Sequence, residues 1–370
     1  MHETSDGRSF PAALDQVDAA WLTDALRHGG AITADDTVSS FEAIPLGEGY
    51  GMLGNLARLI LTYEAGAGPV GSVIFKCATA SEGNRAVAAA FDMFNREFTF
   101  YRTLAEQVRP LIPTCWFSAY DPATLDCSLV MEDLSDYRRG DQAAGCDVDD
   151  ARICLDRMAV LHSTWFDRTG DPAVAWVPTV DGDMYKIGMV AATQAGWDTC
   201  MSIFGSVVPA EISSAKDRYI GALPSLHDRM GSGHQAVLHG DFRLDNLLFG
   251  QQPDHRPVVL VDWQGIIRSK PTQDLAYFLT QNVTTEVRRA HETELVERYH
   301  RGLVERGVAG YGLDECWEDY RLAALWLWEY GVVIGGTLDP ANERGVAFMS
   351  SLLERASAAI TDHDLLSLIA

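Results

Sequence analysis

Two carboxylates and an amide that follow short apolar segments are the residues best suited to chemistry. Residues 237–246 read Val-Leu-His-Gly-Asp-Phe-Arg-Leu-Asp-Asn, so that Asp241 precedes Asn246 by five positions, and Asp262 ends a second apolar run. Phosphoryl transfer needs such a set, because one carboxylate accepts the proton of the attacking hydroxyl while an amide oxygen and another carboxylate hold Mg²⁺ against nucleotide phosphates. The alternative is a β-hairpin whose polar turn residues have this spacing by chance.

Three segments resemble the protein-kinase-like superfamily, and within it the small-molecule kinases of the aminoglycoside phosphotransferase and choline kinase-like group. They are residues 132–134 (Glu-Asp-Leu), 239–241 (His-Gly-Asp) and 262–264 (Asp-Trp-Gln), and they are most similar to the ecdysteroid kinase-like, or CHK kinase-like, branch. The resemblance implies a kinase that uses ATP and Mg²⁺ to phosphorylate a small-molecule hydroxyl. It also implies an α+β, bilobal protein-kinase-like fold with a small antiparallel-sheet N-lobe and a larger helical C-lobe.

The resemblance assigns roles to individual residues of these segments. Asp241 is expected to be the catalytic base, and Asn246 and Asp262 are expected to be the metal ligands. Arg243 stands where protein kinases often place a cation near the transferred phosphate, although a salt bridge to a nearby acid is an equally good interpretation.

A glycine-rich segment precedes the second predicted strand and contains the pattern Gly49-x-Gly51-x-x-Gly54. This pattern is weak on its own, since a dinucleotide-binding fold would require a helix directly after it. Here the apolar residues 56–61 predict a strand, which favours a hairpin loop whose backbone amides approach phosphates. A glycine-rich hairpin that binds nothing is the alternative.

Lys76, the only lysine before residue 134, lies within the apolar strand predicted at 70–78. Glu97 shares one face of a predicted helix with Phe94 and Tyr101, so it is expected to point inward, where an acid needs a partner. The resemblance implies that Lys76 binds the α- and β-phosphates of ATP and pairs with a glutamate on a helix, and we predict that this glutamate is Glu97.

Further positions follow from the resemblance alone. The hinge is expected at residues 129–134, where backbone groups of Glu132 and Leu134 would contact the adenine. His239 is interpreted as a structural hydrogen-bonding residue, and Asp274 as an aspartate that braces the catalytic loop. His162 and Trp165 match a family segment in an earlier helix and are interpreted as packing residues.

The elements that must position these residues fall into two groups. Up to about residue 133 the pattern predicts helices over 14–28 and 85–107 and short strands over 38–46, 55–63, 70–78, 114–120 and 127–131. After that point helices dominate, with strands between 237 and 261. We predict an N-lobe of residues 1–133 and a helical C-lobe of residues 134–370.

Charge and cysteine usage exclude several classes of function. The 370 residues include 29 Lys and Arg but 52 Asp and Glu, a net charge of −23, which argues against binding nucleic acid or an anionic membrane. The seven cysteines form no CxxC pair, which indicates a reduced protein without a zinc site. With no signal peptide and no membrane span expected, we predict a cytoplasmic protein.

The acceptor is expected to be a small molecule and not a protein. Eleven residues separate Asp262 from Asp274, which leaves no room for a long activation loop, and Trp263 and Gln264 replace the Phe-Gly of protein kinases, so we expect no flip between active and inactive states. A nucleotide-binding pseudokinase or scaffold is the alternative function. The presence of Lys76 together with both metal ligands and the base argues against it.

Aromatic and acidic residues of the C-lobe are candidates for the wall of an acceptor pocket: Trp176, Trp197, Trp317, Trp326, Trp328, Glu329 and Tyr330. Trp326 and Trp328 do not share one face of a helix, so one could line the pocket while the other packs in the core. Core packing is the preferred interpretation of any single tryptophan. The acceptor could be an aminoglycoside, a macrolide, a steroid-like or choline-like compound, or a sugar.

Overall fold

A computed structural model describes residues 2–3, 9–46 and 54–369, which fold as two compact units. The first unit comprises Met1–Tyr137 together with Val259–Gly265, and the second comprises Arg138–Val258 together with Ile266–Ala370. The chain thus returns to the first unit for seven residues that include Asp262. None of the described helices has both the length and the apolar character needed to cross a bilayer.

The first unit is built on an antiparallel sheet. Its strands are β1 (His2–Glu3), β2 (Ser9–Phe10), β3 (Val38–Leu46), β4 (Gly54–Tyr63), β5 (Ser72–Ala78), β6 (Cys115–Asp121) and β7 (Asp126–Glu132). Its helices are α1 (Ala19–His28), α2 (Glu82–Ala90) and α3 (Met93–Thr103). Five of the strands form the main sheet in the order β3-β4-β5-β7-β6, and β1 pairs with β2.

The two faces of this sheet carry different kinds of residue. Val73, Phe75 and Cys77 point alternately from β5 into a core that also contains Leu22 and Leu26 of α1. Lys76 lies between them in sequence and therefore projects from the opposite face. Strand alternation in β5 thus separates the packing residues from the lysine.

The prediction of one continuous helix over 85–107 is wrong. The segment forms α2 and α3, which are separated at Asp92, where φ is 53° and the backbone is left-handed. A short 3₁₀ helix over Ala105–Leu111, which contains Pro110, follows α3. Left-handed backbone cannot continue an α-helix, and proline lacks the N–H that a helix interior requires.

The second unit is mainly helical. Its helices are α4 (Val148–Trp165), α5 (Asp183–Lys186), α6 (Gly188–Phe204), α7 (Ala210–Ser213), α8 (Lys216–Met230), α9 (Thr272–Gln281), α10 (Thr285–Glu305), α11 (Leu313–Trp326), α12 (Trp328–Thr337) and α13 (Glu343–Asp362). Its strands are β8 (Arg138–Arg139), β9 (Ala236–Leu238), β10 (Leu247–Phe249), β11 (Val258–Leu260, at the unit boundary) and β12 (Ile267–Ser269). Antiparallel pairs form between β9 and β12 and between β8 and β10. The small sheet and the helical second unit confirm the predicted α+β class.

Most of the predicted acceptor wall is core. Trp197, Trp326, Trp328 and Glu329 are buried, whereas the other three candidates are half-buried. Core packing, the interpretation preferred for a single tryptophan, holds for both Trp326 and Trp328, because α11 ends at Trp326 and α12 begins at Trp328. The break between the helices gives each indole its own direction into the core.

Candidate active site

In the first unit the Lys76 ammonium lies between two carboxylates. Its Nζ is 2.8 Å from Glu97 Oε1, 2.7 Å from Glu97 Oε2 and 3.0 Å from Asp262 Oδ1. The exposed fractions of the three side chains are 7% for Lys76, 3% for Glu97 and 35% for Asp262. The structure therefore brings Lys76 and Glu97 together, and it adds Asp262 as a second partner that is distant in sequence.

The charges of this cluster do not cancel. Burial by itself would lower the pKa of Lys76, but the negative charges of Asp262 and Glu97 raise it, so the ammonium stays protonated. Burial raises the pKa of Glu97, against the effect of Lys76. Because the ammonium contacts both oxygens of Glu97, we assign Glu97 as a carboxylate. One positive charge then faces two negative ones, an arrangement that a further cation would stabilise.

Trp263 and Gln264, the two residues that follow Asp262, attach this segment to α3. The Trp263 ring stacks on the Phe100 ring. The backbone N–H of Trp263 donates to Glu97 Oε1 at 3.3 Å, and the side-chain amide of Gln264 donates to Glu97 Oε2 at 3.3 Å. Asp262 itself has a φ of 67°, a left-handed conformation that is uncommon for residues other than glycine, although aspartate adopts it more readily than most. The contacts of the next two residues hold Asp262 in this unfavourable conformation.

The glycine pattern is only partly visible. Gly49 and Gly51 lie outside the described residues. Gly54 begins β4, and a Cβ added there would lie 3.1 Å from Lys76 Cε and 3.4 Å from the Cys77 carbonyl oxygen. A larger residue at 54 would therefore press on the lysine.

Glu132 and Leu134, at the predicted hinge, form hydrogen bonds to neighbouring segments. The Glu132 N–H donates to the Thr114 carbonyl at 2.8 Å, and the Glu132 carboxylate accepts the Thr114 N–H at 2.9 Å. The Leu134 carbonyl accepts the Tyr137 N–H at 3.0 Å. The Glu132 N–H is therefore already used within the described structure, and the Leu134 carbonyl closes a turn at Tyr137.

In the second unit Asp241 lies in the loop between β9 and β10 and is held by its own loop. Its Oδ2 accepts hydrogen bonds from Arg243 Nε at 3.1 Å and from Asn246 Nδ2 at 2.8 Å. Arg243 also contacts Asp245 Oδ2 at 3.3 Å, so it is the centre of two salt bridges. These contacts hold the Asp241 carboxylate, which stays partly exposed.

Asn246 has the chemistry of a metal ligand. Its Nδ2 donates to the Asp241 carbonyl at 3.0 Å as well as to the Asp241 carboxylate. Because both bonds use the amide nitrogen, the amide oxygen is the atom that Asn246 can offer to a cation. An amide oxygen is a hard donor of the kind that Mg²⁺ accepts.

Asp274 on α9 braces the start of the loop. Its two carboxylate oxygens accept the N–H groups of His239 at 2.9 Å and Gly240 at 3.0 Å. Gly240 has a φ of 77°, which suits glycine at this turn, and His239 Nδ1 lies 3.3 Å from the Asp241 N–H. Two buried side chains, Asp274 and His239, thus fix the backbone on either side of the turn.

Sequence reasoning missed residues that support this loop. Asp245 Oδ1 accepts the Gln142 N–H at 3.2 Å, and Arg355 donates to the Gln142 carbonyl at 2.7 Å. Burial raises the pKa of Tyr277, and the charge of Asp241 raises it further, which places this phenol beside the proposed base. Tyr277 lies three positions after Asp274 on the same helix, a spacing that could have indicated it.

Comparison with known proteins identifies the family. The family described as ecdysteroid kinase-like matches residues 48–173 and 178–308, which is more than half of the chain. No curated protein matched. The match confirms the predicted resemblance.

Solved structures share the fold at low sequence identity. A GDP complex of a mutant of aminoglycoside 2'-phosphotransferase-IIIa is 15% identical, covers 94% of this chain and 100% of its own, and superposes with a TM-score of 0.55. An ethanolamine kinase from Plasmodium vivax is 11% identical, covers 88% of this chain and 83% of its own, and gives a TM-score of 0.51. At these identities the likeness is one of fold, and it confirms the predicted kinase-like fold class.

Proposed function

Because this chain belongs to the ecdysteroid kinase-like family, and is thereby a kinase of small-molecule hydroxyl groups, we propose that it transfers the γ-phosphate of ATP directly to such a hydroxyl with the help of Mg²⁺. The observation that carries the proposal is the cluster of Lys76, Glu97 and Asp262. It presents a charged lysine and a partly exposed carboxylate of the type that a metal nucleotide requires.

Each residue of the proposal has one task. Lys76, held by Glu97, binds the α- and β-phosphates, and the Leu134 N–H binds the adenine. Asp241 orients the acceptor hydroxyl and takes its proton as the new bond to phosphorus forms. Arg243 keeps the Asp241 carboxylate oriented through the 3.1 Å contact and adds positive charge beside it.

Asn246 and Asp262 would each supply an oxygen ligand to Mg²⁺. When bound, the metal ion neutralises charge on the nucleotide phosphates. This contribution is needed here, because a chain with a net charge of −23 repels a polyanion. The predicted cofactors, ATP and Mg²⁺, are thus part of the proposal.

We also propose that the acceptor is a small molecule and that no protein is phosphorylated. The interval between Asp262 and Asp274 is occupied by a 3₁₀ turn over Trp263–Gly265, by β12 and by the start of α9. These short elements leave only Ile266, Lys270 and Pro271 between them, so the interval offers no long loop on which a peptide could dock.

Calorimetry with Mg·ATP tests the nucleotide part of the proposal, and absence of binding would contradict it. Asp241→Ala should abolish turnover while the dissociation constant of Mg·ATP stays close to that of the wild type. Retained turnover would exclude Asp241 as the base. Asp339→Ala, two residues after the end of α12, is a matched control that removes an exposed carboxylate from the same unit.

Measurement of ATP consumption against aminoglycosides, macrolides, sterols, choline and sugars would identify the acceptor class. Stimulation by one class, lost in Asp241→Ala, is the expected result. Binding of Mg·ATP without consumption in the presence of any hydroxyl compound would favour a nucleotide-binding scaffold instead.

A further inference from the structure

A nearly buried carboxylate at the predicted hinge accepts hydrogen bonds from three segments of the first unit. Asp133 Oδ2 accepts from Arg58 Nε on β4 and from the Ser72 hydroxyl on β5, both at 2.5 Å. The other oxygen, Oδ1, accepts the Ser135 N–H at 2.9 Å. The Asp133 side chain is only 5% exposed. The middle residue of the hinge is therefore joined to two strands that lie 61 and 75 positions earlier in the sequence.

The Asp133 side chain stays ionised. Burial alone would raise the pKa of its carboxyl, but the hydrogen bonds from Ser72, Ser135 and Arg58 lower this pKa below its usual value. The Arg58 guanidinium also donates to the Ser72 hydroxyl oxygen at 3.4 Å, so Arg58, Ser72 and Asp133 contact one another and form one cluster, the hinge cluster. A carboxylate buried among these donors holds one geometry, because any other would leave its charge without hydrogen bonds.

The hinge cluster lies on the sheet face that carries Lys76. Side chains of β5 alternate, so Ser72, Ile74 and Lys76 share this face. Leu56 of β4 pairs with Lys76, and Arg58 pairs with Ile74, so both belong to it as well. Leu56 and Ile74 are only half-buried and form an apolar strip between Lys76 and the hinge cluster. Four residues of strand span about 13 Å, and such a strip suits a flat base whose phosphates extend to the lysine.

The hinge cluster acts where the chain leaves the sheet. The last residue of β7 that pairs with β5 is Glu132. The contact of Asp133 Oδ1 with the Ser135 N–H then forms an Asx turn, in which an aspartate side chain accepts the backbone N–H two residues later. The Leu134 carbonyl accepts the Tyr137 N–H directly after it. The side-chain bonds of Asp133 thus take the place of strand pairing at the hinge.

We propose that Asp133 is a positioning residue for the nucleotide base: its bonds to β4 and β5 fix the backbone of residues 132–134 at the end of the apolar strip. A backbone that is fixed before binding loses less conformational entropy when it contacts the base. The inference rests on the proposed function, since it takes ATP as the ligand of the sheet face that carries Lys76. A salt bridge that only stabilises the sheet is the alternative.

A comparison of two nucleotides isolates the contribution of the base. ATP and CTP have the same ribose and triphosphate, so they differ only in the part that the hinge would contact. We expect the wild type to bind Mg·ATP more tightly than Mg·CTP in calorimetry. In Asp133→Ala the dissociation constant of Mg·ATP should rise about tenfold, because hydrogen bonds to a charged group are lost, while that of Mg·CTP should change by less than about twofold.

Two further variants separate positioning from a general loss of stability. Arg58→Gln removes the charged partner on β4 but keeps Asp133 and its turn, so the dissociation constant of Mg·ATP alone should again rise, by a smaller factor. This variant decides the question if Asp133→Ala does not fold in urea titrations. Asp126→Ala is the matched control, since it removes a carboxylate at the other end of β7, 3.0 Å from Arg85 Nη2. It should leave the ratio of the two dissociation constants unchanged.

Three results would overturn the inference. They are an unchanged dissociation constant of Mg·ATP in the folded variants of the hinge cluster, a rise by the same factor for Mg·ATP and Mg·CTP, and equal affinity of the wild type for the two nucleotides. Each of them leaves the proposed function standing, because the protein would still bind a nucleotide. Absence of binding of both nucleotides to the wild type would instead refute the proposed function, and the inference with it.

Discussion

The indole of Trp263 lies face to face with the ring of Phe100, with centroids 3.8 Å apart and planes inclined by only 8°. Trp263 directly follows Asp262, and Phe100 lies one turn after Glu97 on α3. The stack therefore joins the two segments whose carboxylates hold Lys76. This apolar contact and the salt bridges of Lys76 connect the same two segments.

Loss of this stack should weaken nucleotide binding. Trp263→Leu removes the aromatic contact, worth about 0.5–1.5 kcal/mol beyond buried area, and releases Asp262 from its fixed position. We expect a severalfold higher dissociation constant for Mg·ATP by calorimetry, whereas Trp263→Phe should stay close to the wild type. Phe94→Leu, a buried position on the same helix outside the stack, is the control and should leave this affinity unchanged.

Removal of the lysine should destabilise the fold as well as the activity. Lys76→Met leaves Glu97 as a buried carboxylate without its cation, a loss that costs about 3–5 kcal/mol for buried pairs. Urea unfolding should show this loss and should show partial recovery in the double variant Lys76→Met/Glu97→Gln. An unchanged unfolding midpoint in Lys76→Met would contradict the buried ion pair.

Asp262 should behave differently from Glu97. Asp262→Asn leaves Lys76 paired with Glu97 and removes the surplus negative charge, so the free energy of unfolding should change by less than about 1 kcal/mol. Turnover should nevertheless fall at least about a hundredfold, and half-maximal activation should need more Mg²⁺. Full activity at the wild-type concentration of Mg²⁺ would rule Asp262 out as a metal ligand.

Acid should weaken an ionic network at the end of α13. Hydrogen bonds from Arg289 and Arg288 lower the pKa of Asp362 below its usual value, and the distance from Arg289 Nε to Asp362 Oδ2 is 2.8 Å. A lowered pKa stabilises the fold at neutral pH, and this stabilisation is lost as the pH falls through the folded-state value, below about 4. The difference in unfolding free energy between the wild type and Asp362→Asn should therefore shrink as the pH is lowered from 7 through that range. A constant difference would contradict the assignment.

Helices α6 and α12 approach each other closely at two glycines, and this contact gives a prediction about stability but not about activity. A Cβ at Gly336 would lie 2.5 Å from both the Cα and the carbonyl oxygen of Gly196, so Gly336→Ala should lower the free energy of unfolding by about 1–3 kcal/mol. Gly221 on α8 has open space around it, and Gly221→Ala should raise stability by about 0.5–1 kcal/mol. Thermal unfolding of both variants checks the contrast in sign.

Local pattern was sufficient to predict the α+β class and the strand that carries Lys76, because alternation and glycine positions are properties of neighbouring residues. It failed where one backbone angle decides the outcome. The left-handed Asp92 splits a predicted helix, and the break at Leu327 lets both Trp326 and Trp328 enter the core. Neither the aspartate at 92 nor the leucine at 327 predicts a helix break by its residue type alone.

The sequence predicted which residue types form the site, but it predicted only one of the contacts between them. The pairing of Lys76 with Glu97 followed from an acid and a base on apolar faces. The contact of Lys76 with Asp262 spans 186 positions, and that of His162 with Tyr299 spans 137, so no local spacing could indicate them. Both contacts depend on how distant elements pack.

The return of residues 259–265 to the first unit constrains the order in which the protein can mature during translation. A nascent chain that has emerged only to Tyr137 has the whole five-stranded sheet, but Phe100 has no Trp263 to cover it and Lys76 has one carboxylate instead of two. The ribosome must add a further 128 residues before Gly265 emerges. The first unit therefore cannot complete its core as an autonomous leading domain, and truncation at residue 137 would yield a folding intermediate instead of a nucleotide-binding module.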